Sequence, residues 1–505
     1  MNVNIPGASV IGREHTIPVV ARRFLFKQPD TRMSIRKKFL YTFTGTMILA
    51  MLLLALLCVP MRAHALNAHV LPNGLEVFLV KNNQVPLVTI MITFRAGAIV
   101  ETEKINGLCH LYEHMLFKGN ERFPSQRDFM AAMKRLGVGN WNGGTSTEYV
   151  TYFFTIPSNR LAAGLEFWAA AVQSPLLRED ELKLERQVVY NEIAGKQAEP
   201  GYRLRQARLH ALYPDYWFRR DVGGDLQVIR SATIEQLRFI QQNFYVPNNA
   251  ALFVAGDINP QQTLSLVHTF FGNWKAGNGF PVLAPHKPLT AQQWVVVDNS
   301  PTQGQAQVQM IFRGPDTGID TASTYAADIW TQMINSPRGR FKTALDRAVP
   351  ELYGGTRHIS AGYYTQRDAG TTHFSFTITV PEKEELWDSI IRLRAAVLQE
   401  INAMHSESYF TPAEFDCARR EIENQEIIVR DIPARYIRNL SFWWASTSTD
   451  YYTGYVDKIR TVTPQNVRAF AERYLHDAPF LTSVWLHADD EAQQHIMPRA
   501  AKISR

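Results

Sequence analysis

Apolar and polar positions after residue 65 follow two different spacings, one typical of strands and one typical of helices. Alternating apolar residues, or short apolar runs bounded by turn residues, predict strands at residues 71–80, 85–94, 141–156 and 250–256. Apolar residues at helical spacing predict helices at residues 107–118, 123–136, 162–173 and 178–194. The glycine-rich start of the 141–156 segment suits the edge of a sheet, where another backbone approaches closely. This mixture predicts an α+β fold.

The same order of elements recurs in the second half of the chain. Residues 229–233, with the helix and buried strand that follow them, reappear 230 residues later as residues 459–463, a helix to Tyr474 and a strand. A duplicated α+β domain accounts for this offset. We therefore predict a leader, a metal-binding domain, a linker and a homologous C-terminal domain, at residues 1–65, 66–276, 277–290 and 291–505.

Residues 1–65 have the composition of a targeting segment. A basic stretch at residues 36–38 precedes an apolar run at residues 48–59, and a small-x-small site ends at Ala65. This arrangement predicts a secretory signal peptide that is cleaved after Ala65, so that the mature form has no membrane span. An uncleaved membrane anchor is the alternative, although the apolar run is short for a span. Met33 is the natural start under this hypothesis.

Composition and charge narrow the class of protein. Of the 505 residues, 46% are hydrophobic and 20% are charged, which suits a globular chain with more than one domain. Residues 1–65 hold nine Lys/Arg and two Asp/Glu, so the net charge of +6 falls to −1 in the remainder, with 44 basic against 45 acidic residues. We therefore expect no nucleic-acid partner. Nothing in the number and spacing of the three cysteines suggests a disulfide framework, and a single bridge between Cys109 and Cys417 stays open.

The strongest chemical signal is the group His110, Glu113 and His114 on the predicted helix at residues 107–118. Residues three and four apart lie on one helix face, so two imidazoles and a carboxylate converge. Two neutral imidazoles, a third protein ligand and a water make a typical catalytic zinc site. The order H-x-x-E-H is the inverse of the commoner zinc-peptidase order and is itself a catalytic signature. Asn106 is predicted to cap this helix.

A third ligand must come from another part of the chain. Glu185 and Glu192 are seven residues apart and share one side of the predicted helix at residues 178–194. Carboxylates on a helix are usually just solvated, so Glu192 is a candidate only because a third ligand is missing. In the second copy, residues 328–332 occupy the place of the motif and do not preserve it. We therefore expect a metal in one half only.

Four segments together resemble the pitrilysin/insulinase family of zinc peptidases. They are the motif region, the Glu185 to Glu192 segment, Leu-Pro-Asn-Gly-Leu and Phe-Arg-Ala-Gly, at residues 107–119, 185–192, 71–75 and 94–97. The chain resembles the short bacterial members of this family, which are similar to mitochondrial processing peptidase subunits. The resemblance implies two homologous domains, each a mainly antiparallel sheet with helices packed on one face, which form half of a clam-shell.

The resemblance also implies the roles of the site residues. One zinc ion per chain would be held by His110, His114 and Glu192. Glu113 would be the general base on a zinc-bound water, and Glu185 would be a supporting carboxylate near the site. The substrate would be a peptide, and a second half, identical or related, would pair with this chain to enclose it.

In active relatives the second domain supplies an Arg and a Tyr, seven residues apart, that engage the substrate carbonyl. The nearest candidates here are Arg347 and Tyr353, which are six residues apart. An exposed Arg and a Tyr at the start of a strand would look the same. The family further implies that the substrate adds as a strand to a sheet edge, which would be residues 141–145 here. The leader and the family together predict the periplasm.

We therefore predict a zinc-dependent endopeptidase that hydrolyses peptides or unfolded polypeptides in an enclosed chamber. The alternative is the metal-bearing half of a heterodimer, or a peptide-binding subunit with little activity alone. A purely structural zinc site normally has four protein ligands, and only three are found here. The same ligands could also hold manganese, iron or cobalt.

Overall fold

The computed structural model describes residues 66–214, 222–278, 289–352, 358–367, 370–380 and 386–491. All of them belong to one compact unit, His64–Arg505. The predicted leader, Tyr353 and most of the predicted linker lie outside the described residues. None of the described helices combines the length and the apolar character that crossing a lipid bilayer requires.

Two β-sheets organise the described residues. The first contains six strands in the order β1-β2-β6-β3-β5-β4, and its neighbours are antiparallel except for β2 and β6. Its strands are β1 Leu66–Val70, β2 Glu76–Lys81, β3 Leu87–Phe94, β4 Asn140–Thr145, β5 Val150–Pro157 and β6 Ala250–Gly256. The glycine-containing strand β4 lies at an edge of this sheet, as the sequence predicts.

The second sheet contains five strands in the order β7-β11-β8-β10-β9, with one parallel pair, β7 and β11. Its strands are β7 Gln293–Val297, β8 Gln305–Arg313, β9 Ser360–Tyr364, β10 Thr371–Thr379 and β11 Phe480–Trp485. When the strands of the two sheets are matched in chain order, β7-β11-β8-β10-β9 has the same spatial order as β2-β6-β3-β5-β4 of the first sheet. The predicted fold class of two homologous α+β domains with mainly antiparallel sheets is therefore confirmed.

Most helices of each half pack against one face of that half's own sheet. In the first half the helices are α1 Leu108–Leu116, α2 Gln126–Leu136, α3 Leu161–Gln173, α4 Glu179–Gln197, α5 Tyr202–Leu212, α6 Leu226–Ser231, α7 Ile234–Phe244 and α8 Pro260–Phe271. In the second half they are α9 Thr321–Asn335, α10 Arg340–Ala348, α11 Leu386–Ala403, α12 Pro412–Asp431, α13 Pro433–Ser446, α14 Thr449–Thr453, α15 Tyr455–Thr461, α16 Pro464–Tyr474 and α17 Ala488–Glu491. Large buried side chains such as Trp168 and Trp330 fill the two cores.

Each sheet is covered on its other face by a helix from the opposite half. On the first sheet, the stacked rings of Phe78 and Phe253, with centroids 5.0 Å apart, pack with Tyr436 and Trp444 of α13. The Trp444 indole also donates a hydrogen bond of 2.8 Å to Glu76 Oε1. On the second sheet, α5 packs against β7 and β11. The two halves therefore exchange one helix each.

The predicted elements agree with the structure apart from two details. Ser125 caps α2, because its side chain accepts a hydrogen bond from the Asp128 amide. The prediction of one extended segment at residues 141–156 is wrong. Ser146 N donates to Tyr149 O at 2.8 Å, so a polar turn folds this segment into the β4–β5 hairpin. The second detail concerns the start of α1 and belongs to the site.

Candidate metal centre

Helix α1, which carries the histidine motif, begins on a buried carboxylate. Glu101 accepts hydrogen bonds from Gly107 N at 2.8 Å and from Cys109 N at 2.7 Å. The prediction that Asn106 caps this helix is wrong, because the Asn106 amide instead donates to Glu101 at 3.2 Å. Burial raises the pKa of Glu101 to about 7, although these hydrogen bonds oppose the rise. The carboxylate thus accepts hydrogen bonds from backbone N–H groups that have no partner within the helix at its start.

Three side chains from two helices converge beside α1. His110 and His114 lie on α1, and Glu192 lies on α4, which packs against it. Glu192 Oε2 is 3.6 Å from His110 Nε2 and 3.5 Å from His114 Nε2. All three ligand atoms lie within 4.8 Å of one another. Tetrahedral ligands about 2.0–2.2 Å from zinc stand roughly 3.3–3.6 Å apart, so this donor set fits a divalent metal.

The other ring nitrogens of both histidines are also engaged. His110 Nδ1 is 3.2 Å from the Gly223 carbonyl oxygen, and His114 Nδ1 is 3.0 Å from Glu185 Oε2. An Nδ1–H that donates to an oxygen leaves the Nε2 lone pair free, which is the usual arrangement around metal-binding histidines. Glu185 in turn contacts Lys118 Nζ at 2.5 Å. Both imidazoles are therefore held in an orientation suited to ligation.

A close backbone contact brings the Gly223 carbonyl to His110. A Cβ atom added to Gly107, whose φ is +96°, would lie 2.7 Å from Gly224 Cα. A Cβ added to Gly224, whose φ is +107°, would lie 2.4 Å from Gly107 Cα. Both positions require glycine for their backbone conformation as well as for the close approach.

The charge states of the three candidate ligands differ. Burial lowers the pKa of His110, which keeps its imidazole neutral. Burial alone would lower the pKa of His114 too, but the hydrogen bond to Glu185 and the nearby carboxylates raise it overall. Burial is likewise outweighed at Glu192, where Lys196 and His110 lower the pKa of the carboxyl group. Because a metal needs neutral imidazole, metal and proton compete for His114.

Glu113 faces the edge strand of the first sheet. Thr145 Oγ1 of β4 donates a hydrogen bond of 2.8 Å to Glu113 Oε2. A Cβ atom added to Gly143 would lie 2.9 Å from Glu113 Oε1 and 2.8 Å from the ring of Phe117. Burial raises the pKa of Glu113, and the hydrogen bond from Thr145 opposes that rise. The lack of a side chain at Gly143 thus lets β4 lie directly against this carboxylate.

Arg347, one of the two residues predicted from the second domain, is not part of this group. Arg347 is exposed on α10, which packs on α9 and α11. None of the hydrogen bonds or ion pairs of the three ligands includes it. Tyr353 lies outside the described residues. Their roles stay a prediction.

Several residues that support the site were not predicted from the sequence. Lys118 and Lys196 each lie four residues after a ligand, and that helical spacing could have indicated them. No local sequence pattern indicated that Glu101 or Gly223 would support the site. The Gly223 carbonyl meets a histidine that lies 113 residues away in the chain.

Two family profiles match this chain. The profile described as Insulinase (Peptidase family M16) matches residues 76–222, which include every residue of the group. The profile described as Peptidase M16 inactive domain matches residues 231–422. The chain belongs to the M16 peptidase family. The predicted resemblance is therefore confirmed.

Curated relatives named zinc proteases are similar over about two fifths of the chain. It is 29% identical over 204 residues to the uncharacterized zinc protease YmxG of Bacillus subtilis, covering 40% of this chain and 49% of that protein. It is 28% identical over 210 residues to the zinc protease PqqE of Helicobacter pylori, covering 41% and 46%, respectively. The chain thus spans about half the length of these relatives in the matched regions.

Solved structures share the fold over most of the chain. A protease from Helicobacter pylori superposes with a TM-score of 0.71 at 18% identity, covering 84% of this chain and 99% of that one. The first half of the periplasmic protease PqqL from Escherichia coli superposes with a TM-score of 0.70 at 17% identity, covering 86% and 94%. Against the whole of PqqL, the match covers 49% of that protein.

Proposed function

We propose that this chain is a zinc-dependent endopeptidase subunit whose metal is held by His110, His114 and Glu192. The observation that carries the proposal is the convergence of their three ligand atoms within 4.8 Å, with both Nδ1 atoms already engaged. The absence of a fourth protein ligand from the described residues around this group suits a catalytic rather than a structural site. Relatives named zinc proteases support the choice of metal.

When bound, zinc would polarise the scissile carbonyl and lower the pKa of a water molecule. Glu113 would be the general base: its carboxylate would take a proton from the attacking water and pass it to the leaving amine. Thr145 holds one oxygen of this carboxylate at 2.8 Å, which orients it between β4 and the ligands. Glu185 fixes the ring of His114 and stays ionised, because His114 and Lys118 together lower its pKa against the effect of burial.

The edge strand β4 is the proposed binding site for the peptide backbone. Its partner among the described strands is β5, so its second edge is open to an added strand. Trp141 on β4 is exposed and packs against Phe117, with ring centroids 5.3 Å apart. A peptide bound in this way would be selected mainly for its extended backbone, which suits short or unfolded substrates.

A second candidate function is the metal-bearing half of a heterodimer. Two observations favour it. The chain matches the first half of a protein about twice as long, and Arg347 is not in contact with the described metal group. Under either function we propose that the chain acts as one of two paired halves, and that it is exported to the periplasm by the predicted leader.

The test is cleavage of a quenched fluorescent peptide by the purified, zinc-loaded chain and by its Glu113→Gln variant. The neutral amide cannot accept the proton, so we expect a loss on the order of a hundredfold or more in the cleavage rate. Glu121→Gln, which removes an exposed carboxylate, is the matched control. Equal cleavage by the parent and Glu113→Gln would refute the proposed mechanism. A zinc-loaded parent that cleaves nothing alone would favour the heterodimer.

A further inference from the structure

The two helix exchanges between the halves differ in their chemistry. On the first sheet, α13 packs aromatic and aliphatic side chains into an apolar interface. On the second sheet, the corresponding helix α5 covers a face that is apolar at Val295, Val297 and Leu481. Beside them the face is polar, and residues of the helix and of the strands line a cavity of about 320 Å³. Because both halves share one architecture, the fold itself does not require a polar cavity at this position.

A row of polar side chains forms the floor of this cavity. Ser483 of β11 is paired with Gln309 of β8. Gln309 is paired in turn with Ser375 of β10, and Ser375 with Ser360 of β9. Directly paired residues point to the same face of a sheet, so these side chains form one stripe across four strands. The Ser483 hydroxyl is fully buried and has no hydrogen-bond partner among the described residues.

Arg208 of α5 lies over the stripe and brings a positive charge to it. Its guanidinium donates to the side-chain oxygen of Gln309, which is a neutral partner. Burial lowers the pKa of Arg208, and Arg205 lowers it further, with no carboxylate acting in the opposite direction. Burial and Arg208 together also lower the pKa of His373 on β10. Among the described residues, the cavity holds a partly buried cation without a counter-ion.

The lining of the cavity is suited to an anionic oxygen group. None of the described residues that line it is an Asp or a Glu. A guanidinium offers paired donors that match a carboxylate, and a buried hydroxyl without a partner is costly unless a ligand bonds to it. Ser360 and His358 line one end and are exposed, so the cavity is open to solvent there. Its volume is at the lower end for ligand pockets, which limits the occupant to a short segment.

We propose that this cavity binds a carboxylate of the peptide substrate, through Arg208 and Ser483. The proposal rests on the proposed peptidase function, because a peptide is the carboxylate-bearing ligand that this function supplies. Helix α5 follows directly on α4, which carries Glu192, so the cavity and the metal group belong to consecutive helices. A substrate held at both places would be selected for the position of its acidic group as well as for its extended backbone.

The test is calorimetric titration of the zinc-loaded Glu113→Gln chain with three versions of one peptide that contains no Asp or Glu. The versions are the free C-terminal acid, the C-terminal amide, and the amide with one Glu added. We expect at least one carboxylate version to bind roughly tenfold or more tightly than the plain amide. Which version gains shows whether the carboxylate comes from the C-terminus or from an acidic side chain.

Arg208→Gln should abolish this difference, and Ser483→Ala should reduce it. Arg203→Gln, which removes an exposed charge from the same helix, should leave it unchanged. Arg208→Lys, which keeps the charge, should retain part of the difference if Arg208→Gln does not fold. Equal affinity of all three peptides for the Glu113→Gln chain would overturn the proposal. So would a difference in affinity between the peptides that stays unchanged when Arg208→Gln is added. Glu113-dependent cleavage combined with equal affinities would overturn this proposal alone and leave the peptidase function standing.

Discussion

The side chains of His114 and Glu185 are joined by a hydrogen bond of 3.0 Å between Nδ1 and Oε2. The other oxygen of the same carboxylate contacts Lys118 Nζ at 2.5 Å. The opposite ring nitrogen of His114 faces Glu192 Oε2 at 3.5 Å. The orientation of one metal ligand therefore depends on a series of contacts that begins at Lys118.

Removing the charge of Lys118 should weaken metal binding without touching a ligand. Lys118→Met leaves the largely buried Glu185 carboxylate without its cation, so its hold on His114 loosens. We expect the dissociation constant for zinc to rise roughly tenfold, as is usual when such outer contacts are lost. The measurement is a zinc titration against a chromogenic chelator. The exposed Lys104→Met is the control, and equal zinc affinity in the parent and Lys118→Met would contradict the account.

Gly143 and Gly144 offer a matched pair on the edge strand. A methyl group at Gly143 would come within 3 Å of Glu113 Oε1, whereas a Cβ at Gly144 has nothing within 4 Å. Gly143→Ala should therefore displace the general base and lower kcat/KM by about tenfold to a hundredfold, with zinc content preserved. Gly144→Ala should change kcat/KM little. Equal effects of the two substitutions on peptide cleavage would show that the close contact at Gly143 is unimportant.

The burial of Asp328 should make the stability of the second half depend on pH. It lies in the helix that corresponds to α1, and Tyr455 donates a hydrogen bond of 2.8 Å to it. Burial raises the pKa of Asp328 from 3.8 to about 7, and the nearby Glu426 adds to the rise. The pKa of Asp328 is higher in the folded state than in the unfolded state. Its contribution to the free energy of unfolding is therefore fully present below about pH 4 and is lost as the pH rises towards 7.

The Asp328→Asn variant should remove this loss. Relative to the parent, its free energy of unfolding should improve between pH 4 and 7 by up to about 1.4 kcal/mol for each pH unit. Urea unfolding at pH 5 and pH 8 measures the difference, with the exposed Asp346→Asn as control. A stability difference between variant and parent that is the same at both pH values would contradict the role assigned to Asp328.

Much of the site could be predicted from the sequence because its key residues are spaced by helical geometry. His110, Glu113 and His114 share a face of α1, and Glu185 and Glu192 share a face of α4. The duplication was visible in the same way, since repeated segments keep their order in both sheets. Local pattern therefore predicted which helices matter and which of their faces carry the chemistry.

The remaining contacts depend on segments that are distant in the chain. Neither the cap by Glu101 nor the carbonyl of Gly223 follows from a periodic pattern, because each requires loops that meet only in the folded protein. The prediction of Asn106 as cap failed because a buried carboxylate satisfies the helix amides better than a neighbouring amide side chain. The exchange of α5 and α13 between the halves could not be predicted for the same reason, because it depends on contacts between segments that are distant in the chain.

The measurement that tests the central claim most directly is the zinc stoichiometry and affinity of the purified chain and of Glu192→Gln. We expect one zinc per chain in the parent. In the variant we expect zinc binding to be weaker by at least tenfold, because the charged third ligand is lost. Glu199→Gln, which changes an exposed carboxylate just after α4, should bind zinc like the parent. A parent that binds no zinc, or a Glu192→Gln variant with the affinity of the parent, would contradict the metal centre described here.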